Sequence, residues 1–168
     1  MVIKRVFKIF MISDFEKEEK YLRAMHQKGW KFLKVDFCLF YFEKVEPSDV
    51  IYQLDFVENR RKRDSDYYQI FLDSGWQHVD NCQNFSYFRR PALTCIDEND
   101  SSIYSDKVSK VEMINRIIKL RLGVLIPLWL VSFLNMFKSS FFLSLSIILS
   151  ILIIYVASGF YRLKKKYR

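Results

Sequence analysis

The sequence predicts an α+β fold: a duplicated strand-helix-strand-strand domain with antiparallel sheet, followed by a two-helix transmembrane hairpin. Three observations carry this reading. Tyr21, Gly29, Trp30, Tyr41 and Phe42 recur 46 residues later as Tyr67, Gly75, Trp76, Tyr87 and Phe88. Two uncharged runs, Leu122 to Phe137 and Phe141 to Tyr161, fill most of the last third. Charge divides there too: residues 1–115 hold 18 Lys and Arg and all 19 Asp and Glu, whereas residues 116–168 hold nine cations and no acid.

The repeat sets the organisation of residues 1–91, with copies at about 1–47 and 48–91. Met25 with Phe71, Leu33 with Val79, Lys44 with Arg90 and Phe10 with Phe56 extend it by similar residue types. In the first copy, Val2 to Phe10 reads as a strand. Ser13 and Glu16 have capping-box spacing for a helix that turns Phe15, Leu22 and Met25 inward. Gly29 ends that helix, because a left-handed stop costs glycine least. Trp30 to Val35 and Phe37 to Lys44 follow as a hairpin of β-prone residues.

The second copy repeats the pattern. Val50 to Phe56 is its strand, and Ser65 or Asp66 caps a shorter helix carrying Tyr68, Phe71 and Leu72. Gly75 ends it, and Trp76 to Asp80 and Phe85 to Arg90 form the second hairpin. Neither unit can bury a sheet face alone. They are therefore expected to join in one domain, with the two helices packed on one side of the sheet.

Residues 92–105 are polar and acidic and read as a linker. From 106 to 121, Val108, Val111, Ile114, Ile117 and Ile118 recur at helical spacing, and Ser109 with Glu112 offers another capping box. This is an amphipathic juxtamembrane helix, lying on the bilayer, continuing into the first span, or packed as a stalk.

The sixteen residues of the first run would cover about 24 Å as helix, short for a span unless Arg121 snorkels. The second run would cover about 31 Å, which matches a hydrocarbon core. Ser144, Ser146 and Ser150 can bond their own helix backbone, and Pro127 can kink the first helix. Asn135, near the turn, is placed to reach headgroup water. Only Lys138, Ser139 and Ser140 separate the runs, so residues 122–161 form a hairpin. Arg116, Lys119 and Arg121 before it and Arg162, Lys164, Lys165, Lys166 and Arg168 in the basic tail 162–168 put eight cations on one side, against Lys138 on the other. By the positive-inside bias both termini are cytoplasmic, in a two-span protein of the cell membrane.

That distribution assigns the net charge of +8 to the membrane segment, and nucleic acid is not an expected partner. The run Arg60 to Arg63, among Glu58, Asp64 and Asp66, reads as a solvated turn. Cys38, Cys82 and Cys95 form no metal or redox motif, and no disulfide is expected. The N-terminus, broken by Lys4, Arg5 and Lys8, is not a secretory signal.

No catalytic constellation stands out and no enzyme activity, metal or cofactor is expected. His26 and His78 lie in different copies and read as polar helix-surface and strand residues. No glycine falls in a phosphate-loop pattern. The candidate ligand-binding residues are Trp30, Tyr41, Phe42, Glu43, Trp76, Tyr87 and Phe88. Aromatics repeated at matching positions read first as the shared core of a duplicated fold. Alternatively, some line a cleft for a small apolar or cationic ligand, with Glu43 or Asp55 balancing charge.

In topology the domain resembles the duplicated strand-helix-strand-strand modules of the GyrI-like effector-binding superfamily, which implies aromatic-lined clefts for small molecules. A more specific resemblance rests on Gly29-Trp30 after a helix, Tyr41-Phe42-Glu43 ending a strand, the repeated Gly75-Trp76 and Tyr87-Phe88, and the membrane pair that follows. In this order the chain is similar to the bacterial domain of unknown function family 2812. That resemblance implies a membrane protein, mostly of Gram-positive bacteria, often found beside transcriptional regulators of the PadR type, and it carries over no catalytic residues.

Two function classes follow. The first is a membrane-anchored cytoplasmic sensory or regulatory protein that binds a ligand. The second is an accessory or docking subunit of a membrane transporter or envelope-stress complex. Beyond the bilayer, a membrane-protein partner or a homo-oligomer is compatible with both.

Overall fold

The computed structural model describes residues 2–94, 103–104 and 107–167. The chain divides into two compact units, Met1–Asp106 and Lys107–Arg168. The first is α+β, as the sequence predicts. Its elements are β1 (Ile3–Phe7), α1 (Phe15–Gln27), β2 (Trp30–Asp36), β3 (Leu39–Lys44), β4 (Val50–Phe56), α2 (Ser65–Asp73), β5 (Gln77–Cys82) and β6 (Phe85–Pro91). They form two antiparallel three-stranded sheets, ordered β1-β3-β2 and β4-β6-β5.

The two βαββ sets correspond in backbone detail. Gly29 and Gly75 both end a helix with φ near +78°, and Phe37 and Gln83 take left-handed φ of 54° and 51° in the hairpin turns. Register shifts at Phe32/Lys34 and at His78/Asp80, so the extra residues are Leu33 and Val79. Each of these pairs lies 46 residues apart. A Cβ on Gly29 would meet the Val45 carbonyl oxygen at 2.7 Å, so glycine is required there by contact as well as by φ.

The helix starts differ from the sequence reading. A short 3-10 turn, Ile12–Asp14, precedes α1, and Asp14 rather than Ser13 holds the cap position without capping through its side chain. Asp14 instead pairs with Lys17 at 2.7 Å. At α2 the cap is Asp64, whose carboxylate accepts from the Tyr67 N–H at 2.9 Å. Its extended backbone permits this, while Ser65 and Asp66 are already helical. The inward face of α2 is Tyr67, Tyr68 and Phe71; Leu72 is exposed.

The helices do not share one side of a common sheet. Phe40 and Phe42 carry Tyr21 on their face of the first sheet, and α1 lies on that face. In the second sheet Phe88 packs against Tyr67 and Phe71 of α2. The opposite face, with Tyr52, Tyr87 and Phe85, meets Phe32 and Phe15 of the first βαββ set. The second sheet is thus covered on both sides, and six of the seven residues of β4 are buried. The first sheet is covered on one side only.

Free edges inside this core are satisfied from the other βαββ set. The Leu54 N–H on β4 donates to Glu19 at 2.9 Å. On β2, the Val35 N–H donates to Asp80 at 2.9 Å and the Phe32 N–H to the Tyr52 hydroxyl at 3.3 Å. Buried edges need such partners, because an unpaired backbone donor away from water is costly.

Within the stretch read as a linker, Ala92–Thr94 is a 3-10 turn. Ile103 packs on the cluster of Ile51, Trp76 and Phe88, and the Tyr104 hydroxyl donates to Asp55. The rest of that stretch, with Cys95, lies outside the described residues. Cys38 and Cys82 are free thiols. Arg60–Lys62 forms a 3-10 turn, with Arg61 and Lys62 exposed.

The second unit is a pair of helices, α3 (Lys107–Leu134) and α4 (Ser140–Tyr167). The segment read as juxtamembrane and the first apolar run form one helix that runs through Pro127, so Ser109 and Glu112 lie inside it rather than at a cap. Helix α4 continues through the basic tail. The helices pack antiparallel: Trp129 Nε1 donates to Ser150 Oγ at 2.8 Å, and Lys110 lies 5.3 Å from the Tyr167 ring. Small or polar Ser132, Ser146 and Gly159 are buried, which suits close helix approach. Ser144 and Ser150 bond their own helix carbonyls at 2.8 Å. Both helices are long and apolar enough to cross a membrane, and only 11% and 17% of their most apolar windows is buried.

Candidate functional site

Three groups of side chains in the first unit bear on function. The first comprises Trp30 and Tyr41, which lie on opposite faces of the first sheet: Trp30 pairs with Lys44 on the Phe42 face, at the edge of the cover that α1 provides, and Tyr41 pairs with Arg5 and Lys34 on the other face. Trp30, set by the Gly29 stop, is half-buried, and the ammonium groups of Lys4 and Lys44 lie 5.0 and 4.9 Å from its ring. Alternation along β3 turns Tyr41 to the uncovered face, opposite Phe40 and Phe42. There Arg5 lies 5.6 Å and Lys34 4.8 Å from its ring. On the opposite face, which α1 covers, Lys8 sits 4.0 Å from the Tyr21 ring. Lys34 bonds Asp36 at 2.8 Å, which holds its pKa above the ordinary value. Glu43 pairs with Lys31 at 3.7 Å.

The second group is the counterpart of the first, and it is sealed. Trp76, Tyr87 and Phe88 are all buried, as is Phe42. Phe88 lies under α2, with Phe71 at 4.2 Å between ring centroids and His78 at 5.6 Å. Asp55 accepts from Tyr67 at 2.8 Å and from Tyr104, so its carboxylate is engaged within the chain. The seven candidate aromatics and acids therefore do not form one cleft. Four are buried, while Trp30, Tyr41 and Glu43 lie half-buried on the first sheet.

The third group escaped the sequence reading. Helix α1 buries Glu18, Glu19 and His26 on the same stripe as Phe15, Leu22 and Met25. The Tyr87 hydroxyl donates to Glu18 at 2.7 Å, and His26 Nδ1 lies 2.7 Å from the Tyr52 hydroxyl. Burial pushes the Glu18 carboxyl up to about 7, against the smaller opposing effect of the Tyr87 bond. Burial lowers His26, and nearby Arg89 and Lys31 lower it further. His26 is a core residue, not a helix-surface one. The available signal was its register with the apolar stripe, which outranks the polarity of an isolated residue.

Of the cations read as membrane-orienting, Arg116 and Lys119 in α3 and Arg162, Lys164, Lys165 and Lys166 in α4 fall in the halves remote from the turn at 135–139, and Arg121 lies at the middle of α3. Arg168 lies outside the described residues. Asn135, at the turn, donates to the Val131 carbonyl at 2.8 Å. Among the described residues, no cluster of three or more His, Cys, Asp or Glu could hold a metal ion.

Fold and composition define an α+β protein of two βαββ sets joined to a pair of long apolar helices. Residues 14–126 match the family described as "Protein of unknown function (DUF2812)", and the chain belongs to that family. No curated protein and no solved structure matches it.

Proposed function

We propose that this protein is a membrane-anchored, cytoplasmic regulatory binding module: α3 and α4 span the cell membrane as a hairpin with both termini inside, and the first sheet is the recognition surface. The βαββ sets arose by duplication and then diverged in use. The observation that carries this reading is the unequal fate of the repeated aromatics. Trp76 and Tyr87 are 2% and 4% exposed, whereas Trp30 and Tyr41 remain accessible and lie against cations.

Those cations alter the ligand class suggested by aromatics alone. Lys4, Lys44, Arg5 and Lys34 already occupy positions over the rings that a cationic ligand would need. An anionic or acidic amphiphilic ligand gains attraction at either ring, Trp30 on one face or Tyr41 on the other, without displacing them. The positive-inside distribution of cations supports the orientation.

The test is a thermal-shift titration of the full chain in nanodiscs with anionic and cationic amphiphiles. A saturable rise with anions, lost in Lys4→Gln/Lys44→Gln, is expected. A rise with cations alone would contradict the ligand class. No shift with either would reject the ligand-binding reading in favour of a docking subunit.

A further inference from the structure

We infer that the β2–β3 turn of the first unit is a membrane-docking tip that inserts into the surface of an anionic bilayer. This rests on the proposal that α3 and α4 span the membrane, and it names a second contact with lipid.

Phe37 is 88% exposed with φ of 54°. A bulky aromatic in the left-handed region normally needs packing to hold it there, and this one has little. The equivalent turn of the second βαββ set uses Gln83 at nearly the same φ, so the backbone does not require an aromatic.

Phe37 is not isolated. The Lys8 N–H donates to the Cys38 carbonyl at 2.9 Å, bringing the end of β1 beside the turn. That end exposes Phe7 at 70% and Ile9 at 61%. Arg5, Lys8 and Lys34 flank this apolar tip. Arg5 and Lys8 form no ion pair among the described residues, and the first thirteen residues contain no acid. The acids on adjoining strands, Asp36 and Asp80, are engaged by Lys34 and by the Val35 N–H.

Exposed aromatic and aliphatic side chains ringed by cations match the headgroup region of an anionic bilayer. There the apolar groups reach the acyl boundary while the cations meet phosphates. A spanning hairpin in the same chain keeps that surface at high effective concentration, so weak docking suffices.

The test uses the full chain with Cys38, Cys82 and Cys95 replaced by serine, reconstituted in nanodiscs that carry a lipid-borne quencher. A fluorophore is placed by Phe37→Cys, by Gln83→Cys or by Ile151→Cys. With phosphatidylglycerol present, quenching is expected at positions 37 and 151 but not at 83. Replacing Arg5 and Lys8 by glutamine should lower the docked-to-undocked ratio about fivefold for each cation removed.

Quenching at 151 but not at 37 would overturn the docking tip while leaving the anchor intact. Absence of quenching at 151 would reject the anchor itself. Equal quenching at 37 and 83, or quenching at 37 that ignores lipid charge, would also overturn the inference. So would a position 37 shielded from aqueous iodide yet untouched by the lipid quencher, which would point to a protein surface or a second copy.

Discussion

Glu18→Gln should make the first unit more stable at neutral and alkaline pH, not less. The glutamine keeps an acceptor for the Tyr87 hydroxyl, which lies 2.7 Å from the Glu18 carboxylate, but it cannot ionise. Burial pushes the Glu18 carboxyl up to about 7 in the folded chain, from an ordinary value of 4.5. The folded state therefore holds the proton more tightly. Its stabilising effect is complete below about 4.5 and is lost as pH rises through about 7. At about 1.4 kcal/mol per pH unit, the window is worth about 3 kcal/mol in total.

The assay is thermal unfolding in nanodiscs between pH 4.5 and 8.5, followed by near-ultraviolet circular dichroism of the buried aromatics. For a domain of this size each kcal/mol moves the midpoint by about 4–8 °C. The wild-type midpoint should fall by on the order of 10 °C or more across the window, with a much flatter profile for Glu18→Gln. A variant that kept the wild-type slope, or melted lower than wild type at pH 8, would refute the argument from burial.

Four further outcomes follow from the geometry. His26 should titrate below the ordinary imidazole value in an NMR pH series, since burial and neighbouring cations disfavour its charged form; a midpoint at or above that value would contradict the buried placement. Its contribution to stability is lost as pH falls, the opposite sense to Glu18. Gly75→Ala should cost about 1–2 kcal/mol in denaturation experiments for its left-handed backbone, and Gly29→Ala distinctly more, because only there does the new methyl meet a carbonyl oxygen. Asp64→Ala should cost about 1 kcal/mol through loss of the α2 cap, while Ser65→Ala and Ser13→Ala stay near neutral. Trp129→Phe, which removes the donor to Ser150, should weaken α3–α4 packing by about 0.6 kcal/mol, measured by unfolding in mixed micelles.

Sequence patterning located the elements well where local chemistry and packing agree. Strand β4 runs over Val50–Phe56 as expected, because β-prone Val50, Ile51, Tyr52 and Phe56 dominate the stretch between Pro47 and Glu58. The inward residues Phe15, Leu22 and Met25 follow the helical period, and both glycine stops occupy the left-handed positions that the repeat implied. The caps were less legible. Asp64, Ser65 and Asp66 are chemically equivalent choices, and only the extended backbone at Asp64 separates them.

The candidate site was legible as a set of residues but not in its division between core and surface. The repeat puts Tyr41 and Tyr87 in equivalent places, yet α1 and the first sheet cover the face bearing Tyr87 while the face bearing Tyr41 stays open. That difference arises from how the two sets stack, which no single copy encodes. Glu18 and Glu19 were missed for a related reason. Their partners, Tyr87 and the Leu54 N–H, come from the other βαββ set.

Membrane anchoring is tested most directly by placing a single cysteine at Ser139 in the turn between α3 and α4, in a chain otherwise free of cysteine. In intact cells, a membrane-impermeant maleimide should label Ser139→Cys at once and label Ser48→Cys, in the first unit, only after permeabilisation. Labelling of Ser48→Cys in intact cells, with Ser139→Cys protected until the cells are opened, would contradict the orientation. Protection of both sites until permeabilisation would contradict the transmembrane hairpin.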